Sequence, residues 1–111
     1  MIIVRIERRP DGAIDGFSSR GHAGYADPGE DIVCAAVSAI TIGTVNSVEA
    51  LTGVIMKSRM KDGFLSARLP KLSENANVEK IQLLLESMQV ILIGIEDEYD
   101  KYIKIKQVTI S

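Results

Sequence analysis

The chain has 111 residues with 46% hydrophobic side chains, which predicts one small globular domain spanning residues 1–111 and excludes an intrinsically disordered protein. Thirteen basic against fifteen acidic residues, with three Tyr, two Phe and no Trp, argue against a nucleic-acid binder that relies on phosphate neutralisation and base stacking. One cysteine cannot form an internal disulfide, and one histidine leaves little material for a metal site.

The first part of the chain predicts two strands and a loop. Residues 2–9 alternate apolar and charged side chains, which is the period of a half-buried strand. Pro10-Asp11-Gly12 supplies a turn, and residues 13–19 predict a weaker second strand because their alternation is poor. Residues 21–30 hold three glycines and one proline, too many breakers for a helix or a central strand, so they predict a mobile loop.

The middle of the chain predicts a buried helix followed by a hairpin. Asp31 is a candidate N-cap, the apolar sequence after it continues to about Leu51, and Gly53 is placed to end the helix. Residues 54–69 form two alternating runs separated by Asp62-Gly63. An Asp-Gly pair between alternating runs is the strongest short-range signal for a hairpin.

The last third predicts a second helix and a final strand. Apolar residues recur at three- and four-residue spacing between Asn77 and about Glu98, and residues 102–110 alternate again. The core stripe of this helix comprises Val78, Ile81, Leu85, Met88, Leu92 and Ile95. The order strand-strand-helix-strand-strand-helix-strand predicts an α+β domain with a mainly antiparallel sheet of about five strands and two helices.

Three sets of side chains are expected at the surface. The basic residues Arg5, Arg8, Arg9, Lys57, Arg59 and Lys61 occupy strand positions that should face solvent, and we favour an ordinary solvated face over a nucleic-acid patch. An acidic group near the end of the second helix consists of Glu96, Asp97, Glu98 and Asp100, and ordinary surface is favoured over a site that attracts a basic substrate. Leu83, Val90 and Ile93 lie outside the core stripe and are sufficient for a dimer contact.

A cytoplasmic protein is expected. Met1 to Arg5 lacks the order of charged leader, apolar block and cleavage site that marks a secretory signal. No apolar run is expected to reach the roughly 18 uncharged residues of a membrane span, so no membrane partner is predicted.

Candidate chemistry concentrates where the loop meets the first helix, because His22 and Cys34 lie twelve positions apart there. A free cysteine is most often an inert core residue, yet in the first turn of a helix the aligned N–H groups favour a thiolate. An imidazolium at His22 would stabilise that thiolate further. Asp31 would oppose ionisation unless its carboxylate caps the helix or orients His22, and the sequence leaves both roles open.

The surrounding residues resemble the signature of a known family. Gly21-His22-Ala23, then Gly29, then the run Asp31-Ile32-Val33-Cys34-Ala35-Ala36-Val37-Ser38-Ala39 are similar to the ribosomal-processing cysteine proteases of the Prp family. The similarity covers essentially the whole chain and includes the acidic segment Glu96-Asp97-Glu98-Tyr99.

The resemblance implies a cysteine endopeptidase whose catalytic dyad is Cys34 as nucleophile and His22 as general base and acid. The implied substrate is ribosomal large-subunit protein twenty-seven, from which the family removes a short N-terminal extension. It also implies a homodimer with an α+β fold and a mobile histidine-bearing loop. On the chemistry of such a site, we expect backbone N–H groups at the helix start to meet the oxyanion, with Ser38 in support.

The glycines Gly21, Gly24 and Gly29 are the expected hinges of a loop that closes on a peptide. No cofactor, no metal and no direct nucleic-acid partner are predicted. The alternative is a non-catalytic module that binds ribosomal protein or RNA during assembly, with Cys34 in the core. A redox enzyme would lack a second, resolving cysteine, and a zinc site would depend mostly on carboxylates.

Overall fold

The computed structural model describes residues 1–27 and 29–111, so Pro28, within the predicted loop over 21–30, lies outside the described residues. The strands are β1 (Ile2–Arg8), β2 (Ile14–Arg20), β3 (Lys57–Lys61), β4 (Phe64–Arg68) and β5 (Ile103–Thr109), and the helices are α1 (Ile32–Thr52) and α2 (Val78–Glu98). The predicted α+β class and order of elements are confirmed.

The five strands form one sheet in the order β3-β4-β2-β1-β5. The pairs β3/β4, β4/β2 and β2/β1 are antiparallel, which confirms a mainly antiparallel sheet, whereas β1 and β5 are parallel. The parallel pair begins where the Ile2 amide donates a 2.8 Å hydrogen bond to the Tyr102 carbonyl. Helix α2 carries the chain from β4 across the sheet to β5, and the two strands that it connects run in the same direction.

The poor alternation of β2 has a structural cause. The register with β1 shifts between Glu7 and Arg8, so that Glu7 pairs with Gly16 while Arg8 pairs with Ile14. The extra residue, Asp15, breaks the two-residue period, so that Ile14 and Phe17, three positions apart, are both fully buried. A Cβ on Gly16 would lie 2.6 Å from the Ala67 carbonyl oxygen, so a glycine allows β4 to approach there.

The core lies between one face of the sheet and the two helices. Fully buried side chains at its centre include Ile6, Phe17, Leu85, Leu92 and Ile103. Helix α2 begins after Asn77, where the predicted run starts, and the Asn77 side chain caps it by accepting a hydrogen bond from the Lys80 amide. Four stripe positions from Ile81 to Leu92 are buried. Val78 was expected in the core but is 45% exposed, because it lies in the first turn, beyond the edge of the sheet contact.

Arg8 was expected to face solvent, and that expectation is wrong. Its guanidinium donates two 2.8 Å hydrogen bonds to the Glu86 carboxylate and others to the Gln89 and Gln107 side chains and the Gly12 carbonyl. The hydrogen bond and charge of Arg8 lower the pKa of Glu86 against the opposing effect of burial. This paired, two-point geometry joins β1 to α2.

The expectation that no segment resembles a membrane span also needs correction. Helix α1 is long and apolar enough to cross a membrane, by length and composition alone. The core helix of a soluble protein passes the same test, and Val33, Val37, Thr41 and Val48 of α1 are buried in this fold. Only these four of its 21 residues are buried, so much of its apolar surface remains uncovered.

Candidate active site

Two adjoining cavities meet where the loop, helix α1 and the β3/β4 turn converge. Their volumes are ≈ 190 and ≈ 600 Å³, and both are lined by His22, Cys34, Ser38 and Asp62. The fold therefore brings the single histidine and the single cysteine to one concave surface, as the sequence predicts.

Cys34 is the third residue of α1, within the first turn as expected. Its side chain is partly buried, and its Sγ accepts a hydrogen bond from the Ala23 amide at 3.3 Å. An N–H donor and the positive end of a helix both favour negative charge on sulfur. The hydrogen bond also joins the residue after His22 to the thiol, which makes the loop and the helix start one local unit.

The role of Asp31, which the sequence leaves open, is clear from its hydrogen bonds. Oδ1 accepts from the Val33 and Cys34 amides at 3.0 Å each, which makes Asp31 the N-cap of α1. Oδ2 accepts from the Tyr25 and Ala26 amides of the loop at 3.0 and 3.3 Å. Both oxygens are thus committed to backbone groups, and the carboxylate fastens the loop to the helix rather than orienting His22.

These contacts also determine the charge state of Asp31. Burial of the carboxylate raises its pKa, but the four backbone N–H groups together outweigh this effect, so the pKa of Asp31 lies below its usual range. The carboxylate is therefore ionised at neutral pH. Because four backbone N–H groups already interact with its negative charge, Asp31 opposes a thiolate at Cys34 less than a free carboxylate would.

His22 follows β2 in the chain, and its imidazole packs against the turn of the β3/β4 hairpin. Its side chain is 62% exposed, and its Nε2 is 3.9 Å from Oδ1 of Asp62. A Cβ built on Gly63 would lie 2.8 Å from the same nitrogen, so the imidazole rests directly on the Gly63 backbone. The sequence identified the Asp62-Gly63 turn but not its contact with His22, since that contact arises only when β2 pairs with β4.

The loop is held at two further points. Gly21 has φ +95°, its amide donates a 2.8 Å hydrogen bond to the Gly63 carbonyl, and a Cβ there would meet the Met1 carbonyl oxygen at 2.5 Å. Only glycine fits both constraints. In the middle of the loop, the Tyr25 ring makes edge contacts with Tyr99 and Tyr102. The expected hinges Gly24 and Gly29 also have positive φ, and loop motion stays a prediction.

The donors expected to meet an oxyanion are partly in use elsewhere. The Val33 and Cys34 amides donate to the Asp31 side chain, and the Ala35 amide donates to the Asp31 carbonyl. Two other donors remain near the thiol: the buried Ala23 amide, which donates to Sγ, and the exposed Ser38 hydroxyl, which lines both cavities. The sequence missed Ala23 in this role, because a backbone donor leaves no signal in residue type.

Within residues 1–27 and 29–111, no group of three or more His, Cys, Asp or Glu side chains is arranged to hold a metal ion. The chemistry available at the cavity junction is that of a thiol, an imidazole and hydrogen-bond donors.

We expect Asp31→Asn to loosen the loop while the helix cap survives. The amide oxygen still accepts from the helix, since Asn is a good N-cap, but its NH₂ group would face the Tyr25 and Ala26 amides, donor against donor. Hydrogen exchange at those two amides should rise about tenfold or more, and the Tm should fall by a few degrees. Unchanged exchange at residues 25 and 26 would contradict the contact.

The same variant has a pH signature whose sign follows from the lowered pKa. Stabilisation by ionised Asp31 is present above its ordinary value of 3.8 and is lost as the pH falls below it through the folded-state pKa. The Tm difference between the wild type and Asp31→Asn should therefore be largest near neutral pH and should shrink under acid. Glu86 titrates in both proteins, so its contribution cancels in this difference.

Comparison with known proteins finds related sequences over nearly the whole chain. Residues 1–104 match the protein family described as cysteine protease Prp. The ribosomal processing cysteine protease Prp of Bacillus subtilis is 35% identical over 107 residues, which cover 95% of this chain and 96% of the relative.

Solved structures show the same similarity. The ribosomal processing protease Prp of Staphylococcus aureus with a covalently linked product peptide superposes with a TM-score of 0.86 at 32% identity, over 96% of this chain and 99% of that one. The same protease with a substrate peptide gives a TM-score of 0.82 at 32% identity and the same coverage. The match of sequence and fold shows that this chain belongs to the Prp family of cysteine proteases.

Proposed function

We propose that this protease uses Cys34 as its nucleophile and His22 as its general base and acid. The observation that carries the proposal is the junction of the two cavities, where the only cysteine and the only histidine of the chain line the same surface. The structures of a Prp protease with substrate and product peptides support peptide hydrolysis as the reaction.

The geometry supports a stepwise acyl transfer. His22 takes the thiol proton, and the Cys34 Sγ attacks the peptide carbonyl carbon to form a tetrahedral intermediate with a negative oxygen. Collapse of that intermediate breaks the C–N bond, and the imidazolium gives its proton to the leaving amine. Water then attacks the thioester with His22 as base, which releases the acid product and restores the thiol.

The oxyanion requires donors close to sulfur. The Ala23 amide lies 3.3 Å from Sγ, so it is within reach of an oxygen on a carbon bonded to that sulfur. The Ser38 hydroxyl lines both cavities one helical turn after Cys34 and supplies the second donor. Asp31 supports the reaction indirectly, because it keeps the loop that carries Ala23 against the helix start.

His22 must turn from Asp62 towards Sγ to serve the thiol, and it does so over the Gly63 backbone on which its ring rests. Among the described residues, the thiol accepts its hydrogen bond from Ala23 and not from the imidazole, whose Nε2 lies 3.9 Å from Oδ1 of Asp62. Asp62 is 99% exposed on its side chain, so an ion pair with a protonated His22 is screened by water and holds the ring only weakly. Peptide binding and closure of residues 21–30 then assemble the dyad.

We propose a ribosomal protein as the substrate, following the function named for the relatives. The finer assignment is removal of the short N-terminal extension of large-subunit protein twenty-seven in the cytoplasm. The smaller cavity is lined by apolar side chains that include Ile2, Val37, Ile42 and Leu65. This lining fits an apolar side chain next to the scissile bond.

A homodimer is part of the proposal. Leu83 and Val90 of α2 are both 69% exposed, and a groove of ≈ 280 Å³ between the helices is lined by the small residues Ala39, Gly43 and Ser47 of α1. An apolar helical surface of this kind, on a chain too small for a large core, is typical of a face covered by a second copy.

Sedimentation equilibrium tests the dimer. The wild type should show twice the chain mass, and Val90→Glu should weaken association about tenfold or more, because a charge would be buried in the contact. Val78→Glu is the matched control, since Val78 is also exposed on α2 but lies on another side of the helix. A monomeric wild type, or equal weakening by both variants, would rule out this interface.

The proteolytic function is tested by incubation of the reduced protein with a peptide that contains the N-terminal extension and the first residues of the mature ribosomal protein. Mass spectrometry should find two products from one cut. Prior treatment with iodoacetamide, which modifies the only cysteine, should prevent the cut. An intact peptide after incubation with the reduced protein, or cleavage by the alkylated protein, would overturn the proposal.

A further inference from the structure

The sheet has one face that neither helix covers, and strand register shows which side chains project from it. Across the sheet from β3 to β5, the row nearest the hairpin turn is Lys61, Phe64, Arg20, Ile3 and Lys104. Paired residues project on the same side of a sheet. The residues between these rows, such as Val4 and Leu65, face the helices and are buried.

The second row of this face is even more basic. Two residues further along each strand, the row is Arg59, Ser66, Ser18, Arg5 and Lys106. The third row adds Lys57 and Arg68, and its one acid, Glu7, lies 3.6 Å from the Arg68 guanidinium. All eight lysine and arginine side chains on these rows are exposed.

The charge of the protein is therefore separated between its two sides. This face holds eight of the 13 basic residues and, on its strand rows, one of the 15 acidic residues. The rest of the chain is strongly acidic in consequence. The formal charge of −2 conceals this separation, because it sums over both sides. A concentration of one sign on one face attracts a partner of the opposite sign.

The centre of the face carries groups that suit a nucleotide. A hollow of ≈ 690 Å³ is lined by Arg5, Arg20, Arg59, Phe64 and the hydroxyls of neighbouring serines. The Arg20 guanidinium lies 5.5 Å from the centroid of the Phe64 ring. Aromatic rings and arginine planes stack on bases, while arginine and serine donate hydrogen bonds to phosphate oxygens.

Other anionic partners fit this face less well. A membrane surface binds proteins through exposed apolar anchors together with cations. The large exposed apolar side chains of the described residues lie elsewhere: Leu83 and Val90 are on α2, and Met60 belongs to a row that faces the helices. An acidic protein would use the cations but would have no need of the stacked Arg20 and Phe64.

We propose that the open sheet face binds single-stranded RNA. The cations of the first and second rows bind its phosphates, and one base stacks on Phe64 and Arg20. Adjacent rows lie roughly 7 Å apart, two residues along a strand, which matches the spacing of successive phosphates in an extended strand. Phe64 and Lys61 also line the smaller active-site cavity, whereas Arg5 and Arg59 line neither cavity. Substitution of these two arginines therefore tests the proposal separately from the proteolytic function.

Fluorescence anisotropy with a labelled twelve-nucleotide oligouridine tests this binding. The wild type should bind with a Kd of roughly 10⁻⁴ to 10⁻⁶ M near physiological salt. Each phosphate contact contributes a slope of about −0.7 to log K against log salt, so about five contacts should weaken binding roughly a hundredfold between 50 and 200 mM salt.

The decisive variant is Arg5→Glu with Arg59→Glu, which should weaken binding at least about tenfold and flatten the salt slope. Lys80→Glu with Lys101→Glu changes the net charge equally at exposed positions off the face and should retain most of the affinity. Peptide cleavage should be unchanged in both double variants, which shows that they are folded. Arg5→Gln with Arg59→Gln serves as the milder version of the same test.

Three outcomes would overturn the proposal: salt-insensitive or undetectable RNA binding by the wild type, equal weakening in the two double variants, or tighter binding to vesicles of phosphatidylglycerol or to polyglutamate than to RNA. If the wild type does not cleave the extension peptide, the proteolytic assignment is overturned instead, and the RNA-binding result remains valid.

Discussion

Cys34→Ser is expected to lower peptide cleavage by at least about 10³-fold while the fold is retained, because removal of a nucleophile eliminates the covalent route altogether. A serine hydroxyl still accepts the hydrogen bond that the Ala23 amide gives to Sγ. It does not ionise at neutral pH beside a single imidazole as readily as a thiol. The measurement is the rate of product formation from the extension peptide under reducing conditions.

The control for Cys34→Ser is structural. Circular dichroism and the Tm should remain close to the wild type, since Cys34 is only partly buried and serine is similar in size. Cys34→Ala should be equally inactive. Cleavage above a tenth of the wild-type rate in either variant would show that the thiol is a packing residue and would favour a different nucleophile.

Local patterns were enough to predict the elements of this fold. Helix α1 begins directly after the predicted cap Asp31, and the β3/β4 turn falls on the predicted Asp62-Gly63 pair, because capping and turn chemistry act within a few residues. The poor alternation of β2 was also a real signal, since it reports the bulge at Asp15.

Features that depend on strand order were not predictable in this way. The parallel pairing of β1 with β5 joins residues about a hundred positions apart, and the sequence of neither strand identifies its pairing partner. The contact of His22 with Gly63 follows from the pairing of Arg20 with Phe64. The basic face has the same origin, because its cations come from all five strands and converge only in the folded sheet.

Some ambiguities were chemical and needed geometry to settle them. Asp31 was able to serve as cap or as the partner of His22, and its two oxygens, each accepting two backbone hydrogen bonds, leave no acceptor for an imidazole. From the sequence, the N–H groups at the helix start were expected to bind an oxyanion. In the structure, the Val33 and Cys34 amides donate to the Asp31 side chain instead.

Gly63→Ala is expected to reduce cleavage about tenfold or more through its effect on His22 alone. The three atoms nearest to the added Cβ all belong to the imidazole, at 2.8 to 3.4 Å, so the exposed ring must move while the backbone around it stays. Displacement of a catalytic group by a fraction of an ångström to 1 Å costs up to about a hundredfold in rate. The loss should fall on kcat, with KM little changed, because the ring acts on the reacting atoms.

Gly12→Ala separates that effect from backbone strain. Gly12 and Gly63 both have positive φ, at +90° and +68°, so alanine should cost each variant roughly 1–2 kcal/mol of unfolding free energy. A Cβ on Gly12 meets nothing within 4 Å, and the β1/β2 turn lies outside both active-site cavities. Equal stability loss with a fall in kcat only for Gly63→Ala would place the imidazole in the reaction. An equal fall in kcat for both variants would mean that strain in the sheet, and not the position of His22, limits the enzyme.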